Sequence, residues 1–337
     1  MNRLSAHFSC LLMLIVTGCQ TELATPKATG PVAAETTPGR IKVTLALNWF
    51  PEAEHGGFYA ALVHNYFEEE GLEVTIRPGG PKVPVIVEVA NGKMEFGVDN
   101  ADKLLLARAQ QADVVAVMNP IQNSPRCVMV HKKSGITRLE DLAGRKPFTL
   151  AMNSGQPFAQ FLTRKINLTD AQVVPYQGNV ARFLEDPNCG QQAYSFSEPF
   201  AAERHQGDPL CLMMSDIGFN TYTSVLLTRR VVIEKQPELV TKMTRASIRG
   251  WKKYLAEPEQ TNQYIHEQNS ELGLDVLAFG AAALRPLCFP AGFDENRLGE
   301  MTAERWQTLV SQMTDIKLLA PDSVHAEDAY SLKFLSL

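Results

Sequence analysis

Apolar and polar positions alternate along Ile41–Leu47, the period of a half-buried strand. From His55 to Phe67 the spacing changes to that of a helix, with Phe58, Tyr59, Leu62, Val63 and Tyr66 on one stripe. Strand-like runs then recur at Leu72–Ile76, Phe96–Val98 and Val114–Met118, separated by helical segments over Val83–Ala90 and Ala101–Ala109. After Pro120 the alternation restarts. Strands are predicted at Cys127–His131, Thr149–Met152, Val173–Val174, Gln192–Ser195 and Leu210–Met214, with helical segments at Phe158–Lys165, Val180–Leu184 and Pro199–His205. Strands that alternate with helices imply βαβ units and a mostly parallel sheet. Thr223–Thr228 is a β-rich run that can carry the chain back to the first unit. The remainder reads as mainly helical, with one stripe from Leu239 to Leu255 and another from Trp306 to Ile316, the latter capped by Thr302.

The amino terminus is patterned differently. Arg3 precedes a short apolar run, Leu11–Val16, and then Thr17, Gly18 and Cys19. That run is too short to span a bilayer and describes a secretory signal. Residues 20–40 are rich in Pro, Gly and Thr and poor in core formers. They read as a flexible tether, which as a coil would span about 25 Å. The expected organisation is therefore a signal over 1–19, a tether over 20–40, a first lobe over 41–122 and 224–337, and a second lobe over 123–223.

A chain of 337 residues is long enough for roughly two domains. Its 45% hydrophobic and 20% charged content excludes disorder over most of the length. The net charge of −5 argues against a nucleic-acid partner, which calls for a basic excess. No CxxC pair, P-loop, GxGxxG or metal-spaced histidine set occurs, so no metal, no cofactor and no catalytic residue is expected. Of the cysteines in the body, Cys189 and Cys211 lie near strands of the same lobe; they either pair or remain free thiols.

The loops after strands carry the candidate chemistry, because ligand sites prefer domain interfaces and the carboxyl ends of parallel strands. The first strand ends in Asn48-Trp49-Phe50-Pro51, and His55-Gly56-Gly57 opens a helix. Taken together, Asn48, Trp49 and His55 point to a ligand, and the glycines let backbone N–H groups approach it. Ser154 and Gly155, between a strand and a helix, offer a hydroxyl and N–H groups. Asn220 and Tyr222 lie near the return crossover.

These segments resemble the family of substrate-binding proteins for nitrate, sulfonates and thiamine pyrimidine precursors. The likeness to the pyrimidine branch lies in Asn48-Trp49 and in His55-x-Gly57-x-Tyr59. It extends through Tyr66–Val74, Phe96–Asp102 (which contains Asn100), Ser134–Ile136 and Asp141–Gly144. Val16-Thr17-Gly18-Cys19 resembles the bacterial lipobox, in which the cysteine is acylated. The resemblance implies an α/β protein of the type II periplasmic-binding-protein fold, two α/β lobes with a ligand cleft between them. It further implies that Tyr194 and Glu198, a Tyr-x-x-x-Glu after a strand, face the ligand, and that Asn100 joins them; Glu198 also reads as a plain acid at a helix start. The expected protein is no enzyme. It is an exported monomer held to a membrane through lipid on Cys19, serving an ABC permease and ATPase by binding a small planar nitrogen heterocycle. The alternatives are a pyrimidine synthase-like enzyme and a nitrate- or sulfonate-binding protein. The eukaryotic enzyme branch carries a cysteine-rich run close to Gly218–Ser224, where this chain has none, and Glu52 and Glu54 are two acids added before His55.

Overall fold

A computed structural model describes residues 39–81 and 83–335. The signal, the tether up to Pro38 and the lipidation candidate Cys19 lie outside the described residues.

In chain order the elements are β1 (Ile41–Ala46), α1 (Gly56–Val63), α2 (Tyr66–Glu69), β2 (Leu72–Arg77), α3 (Val85–Ala90), β3 (Phe96–Asp99), α4 (Ala101–Ala109) and β4 (Val114–Met118). They continue as β5 (Arg126–His131), β6 (Thr149–Ala151), α5 (Pro157–Lys165), β7 (Gln172–Val174), α6 (Ala181–Glu185), β8 (Cys189–Tyr194), α7 (Glu198–Arg204) and β9 (Pro209–Met213). The chain then runs through β10 (Val225–Arg229), α8 (Arg230–Lys235), α9 (Pro237–Ala256), α10 (Glu259–Gln268), α11 (Leu274–Cys288) and α12 (Ala303–Asp315).

Two five-stranded sheets form, in the orders β2-β1-β3-β10-β4 and β7-β6-β8-β5-β9. They are mixed where the sequence implied mostly parallel pairing. β1 runs parallel to β2 and β3, but β10 is antiparallel to both β3 and β4. Likewise β6 is parallel to β7 and β8, while β5 is antiparallel to β8 and β9. β5 and β10 are the strands that follow the two crossings between sheets. β5 follows β4 with no helix between them, β10 follows β9 through only a 3-10 turn over Met214–Ile217, and each inserts antiparallel.

The long first helix anticipated over His55–Phe67 is broken. A 3-10 turn covers Ala53–His55, and Asn65 adopts a left-handed φ of 59° between α1 and α2. A short polar side chain tolerates that conformation better than most. Thr302 does cap α12, its hydroxyl accepting from the Arg305 N–H at 3.3 Å. α12 was grouped with the first lobe in the sequence, yet it contacts both α4 beside the first sheet and α5 beside the second. Its Trp306, Leu309 and Met313 belong to an apolar core that also holds Val114 and Leu150, one from each sheet.

Candidate functional site

Where the two sheets face each other, side chains from both meet. Asn100 follows β3 and stands at the start of α4. Its Nδ2 donates to the Tyr194 hydroxyl at 3.2 Å, and Tyr194 closes β8 in the other sheet. The same hydroxyl accepts from Arg126 Nη2 at 2.8 Å. The Arg126 guanidinium lies 4.2 Å from the Tyr194 ring centre and 4.5 Å from that of Phe158. Such cation–π contacts hold a planar cation against aromatic faces. Burial pushes the Tyr194 phenol up, so it remains a neutral donor and acceptor.

Glu198 opens α7 and is held from two sides. It accepts the Tyr194 backbone N–H at 2.8 Å and the Tyr176 hydroxyl at 2.7 Å. The carboxylate therefore organises its own turn and ties it to the loop after β7. Tyr176, in the loop after β7, has its phenol pushed up by burial and by Glu198.

On the side of the first sheet stands the loop after β1. Asn48 Oδ1 meets His55 Nε2 at 2.9 Å. His55 is wholly buried, and burial lowers its affinity for a proton although Glu54 and Asp99 pull the other way. Glu54 accepts the Ser224 hydroxyl at 2.5 Å. Ser224 ends the return crossover with φ at 61°, a left-handed conformation that serine rarely holds without surrounding support. Burial, then the charges of Glu54 and Glu198, hold the Glu52 carboxyl above its ordinary value. Trp49, 37% exposed, and Phe50, 48% exposed, pack edge to face at 5.6 Å on the rim. Gly79 N–H donates to the Trp49 carbonyl at 2.9 Å. A Cβ on Gly79 would sit 1.9 Å from the Leu47 carbonyl, so that loop rests directly on the first.

Several expected residues lie elsewhere. Gly57 faces Trp251 on α9, where an added Cβ would fall 2.1 Å from the indole. Tyr59 is core, 2% exposed and 5.8 Å from the Tyr264 ring. Asn220 and Tyr222 belong to the crossings: Asn220 Oδ1 accepts from Ser124 N–H at 2.8 Å and Arg305 Nη2 at 2.9 Å, and Tyr222 Oη accepts from Thr302 N–H at 2.8 Å. Ser154 and Gly155 line a shallow hollow of about 290 Å³ with Met152, Asn153, Gln156 and Pro175, next in sequence to Tyr176. The described cysteines are free thiols, and Cys127 on β5 is the neighbour of Cys211 on β9. Arg126, Tyr176 and Ser224 escaped the sequence reading. Tyr176 follows a strand and so carried the same positional signal as Tyr194; Arg126 and Ser224 are placed by the crossings and carried none.

A family model described as "NMT1/THI5 like" matches residues 52–261. The chain belongs to that family. Among NMT1/THI5-like relatives, it is 26% identical over 261 residues to the riboflavin-binding protein RibY of Chloroflexus aurantiacus, covering 74% of each chain. It is 22% identical to the formylaminopyrimidine-binding protein of Halalkalibacterium halodurans over 95% of this chain and 96% of that one. The periplasmic aliphatic sulphonate-binding protein SsuA of Escherichia coli superposes with a TM-score of 0.64 at 16% identity, covering 85% of this chain and 91% of SsuA. The two-lobe periplasmic-binding-protein fold is therefore this member's fold. Among the described residues no helix is long and apolar enough to cross a membrane.

Proposed function

We propose that this NMT1/THI5-like protein is the extracytoplasmic solute-binding component of an ABC importer. In this reading it binds a small planar nitrogen heterocycle between a lobe of residues 41–122 and 224–337 and a lobe of residues 123–223. The observation that carries the reading is the meeting of Asn100 from one sheet with Tyr194 from the other at 3.2 Å, beside Arg126 and Glu198. Aromatic faces accept a flat ring, and carboxylates and amides read its edge. The two named relatives bind a flavin and a pyrimidine, which supports the same ligand class. The buried, largely satisfied groups suit gripping a ligand and supply no activated nucleophile.

Calorimetric titration with aminopyrimidines, riboflavin, nitrate and taurine tests the ligand class. A heterocycle should bind and the two anions should not; tight binding of taurine or nitrate alone overturns it. Glu198→Gln should weaken heterocycle binding about 10- to 150-fold, the worth of a hydrogen bond to a charged group. Trp49→Ala, on the rim, should cost about 1 kcal/mol, or roughly fivefold.

The anchor is part of the same proposal. Acyl chains on Cys19 would hold the body at the membrane through the tether. Cys19→Ala should release the protein from the membrane fraction or leave it unprocessed. Processed protein that stays with the membrane overturns the lipobox assignment.

A further inference from the structure

The Tyr194 hydroxyl stands between the two sheets with two donors aimed at it. Arg126 Nη2 approaches at 2.8 Å and Asn100 Nδ2 at 3.2 Å. A guanidinium carries only donors, so the first bond runs one way. A side-chain amide can face either way, and here its other end decides. The Ser224 N–H donates to Asn100 Oδ1 at 3.4 Å, and a backbone N–H cannot accept. Both residues are buried, Ser224 at 0% and Asn100 at 6% exposure, so this pairing is shielded from water. The oxygen of Asn100 therefore faces Ser224, and its NH2 group faces Tyr194.

These two bonds fix the direction of a third. With Arg126 and Asn100 both donating, the Tyr194 oxygen accepts twice, and its own hydrogen must point away from both. Burial keeps the phenol neutral, so that hydrogen is in place. Among the described residues the hydroxyl makes no hydrogen bond to an acceptor. The ring is less open than the hydroxyl. Arg126 covers one face at 4.2 Å from the ring centre, and Phe196 leans on it at 5.3 Å, tilted by 48°. This favours the hydroxyl, over the ring, as the part of Tyr194 that meets a ligand.

We propose that Tyr194 is a specificity-determining residue of the cleft: its hydroxyl, committed to donate by Arg126 and Asn100, selects a heterocycle that presents an acceptor there, a ring nitrogen or a ring carbonyl. This rests on the inter-lobe cleft being the ligand site and names the chemistry that one wall of it reads. Arg126 and Asn100 are positioning residues that act through Tyr194, and Ser224 positions Asn100. A ligand that turns an N–H toward Tyr194 sets hydrogen against hydrogen. Of two tautomers of one ring, the cleft takes the one with the lone pair on that edge.

Calorimetric titration of the purified protein with 4-aminopyrimidine and with aniline tests this. The two probes share shape and amine, are both largely uncharged at neutral pH, and differ by the ring nitrogens. Their affinity ratio is compared in wild type, Tyr194→Phe and Asn100→Asp, with thermal melts confirming that each variant is folded. Tyr194→Phe keeps the ring and drops the hydroxyl. Asn100→Asp puts an acceptor where Nδ2 stood, so the Tyr194 hydrogen turns to it. In each variant the preference for 4-aminopyrimidine should fall about 2- to 13-fold, the worth of one hydrogen bond between neutral groups. Lost packing or an added charge would weaken both probes alike and leave the ratio in place. Riboflavin, whose ring system carries nitrogen and carbonyl acceptors, should weaken in Tyr194→Phe by a similar factor. An unchanged ratio, or unchanged riboflavin affinity, in folded Tyr194→Phe overturns the inference and leaves the cleft reading standing. A preference lost in Tyr194→Phe but kept in Asn100→Asp overturns the part given to Asn100. If wild type binds neither 4-aminopyrimidine nor riboflavin, the cleft reading fails and the inference with it.

Discussion

His55 is a residue whose type was visible in the sequence and whose state depends on three dimensions. Its ring has no solvent contact, Nε2 is tied to Asn48, and burial lowers its pKa from the ordinary 6.5. In the unfolded chain the imidazole titrates at its ordinary value. Between the folded and unfolded values, the unfolded state binds more protons, so stability rises with pH through that window. It is lost as pH falls below about 6.5. His55→Gln removes this contribution while leaving His64, which burial also lowers, in both proteins. The melting temperature of His55→Gln should therefore fall less between pH 7 and pH 5 than that of wild type. Equal falls would show that the imidazole is already protonated in the folded protein.

At the scale of elements, α1 is held by its crossing with α9, and the crossing is made by glycines. A Cβ on Gly250 would sit 2.2 Å from the Gly57 carbonyl and 2.7 Å from the Ala61 N–H nitrogen. Both neighbours are the backbone of α1 and cannot swing aside. Alanine at a helix interior ordinarily gains up to about 1 kcal/mol over glycine. Overpacking against backbone outweighs that gain, so Gly250→Ala should destabilise by about 1–3 kcal/mol in denaturant titration. Unchanged or greater stability would mean the helices separate without cost. This crossing also explains what the sequence made legible. The stripe from Leu239 to Leu255 and the strand runs were readable because burial imposes their period locally. That Gly57 and Tyr59 face α9 and α10, away from the cleft, was not readable: motif spacing places a residue on a helix, and only the partner helix says which side is core. The antiparallel entries of β5 and β10 were hidden for a similar reason, since strand direction is set by the crossings and leaves no trace in hydropathy. Asn48, Asn100, Tyr194 and Glu198 were legible as candidates because they lie where strands end or helices begin, the places where open α/β sheets collect ligand contacts.

At the scale of the whole molecule, the two lobes are strapped on one side and merely touch on another. Arg305 of α12 donates to the Asn220 carbonyl at 2.8 Å, to Asn220 Oδ1 at 2.9 Å and to the Gln122 carbonyl, and its guanidinium lies 4.0 Å from the Tyr222 ring centre. Asn220 and Gln122 belong to the two crossings, so one side chain ties both together; a hinge at these crossings is the expectation the proposed function carries. Burial lowers the Arg305 pKa to about 10, which still leaves it charged at neutral pH. Elsewhere α7 touches α11. Phe200 and Phe279 stack with centroids 4.6 Å apart, and Arg204 pairs with Asp275 at 3.0 Å. The ion pair is half exposed on both sides and contributes little. The aromatic pair, by contrast, is worth about 0.5–1.5 kcal/mol beyond its buried area. Opening about such a hinge would break that stack. Ligand affinity depends on how readily the closed arrangement forms, and a change that disfavours closure weakens every ligand alike. Phe279→Ala should therefore weaken binding about 2- to 12-fold for any ligand of the cleft, with the loss appearing as faster release. Asp275→Asn, which disturbs only the exposed pair, should lie within about twofold of wild type. Stopped-flow dissociation on the two variants separates these outcomes. A Phe279→Ala protein that releases ligand at the wild-type rate would show that the α7–α11 contact persists when the cleft opens.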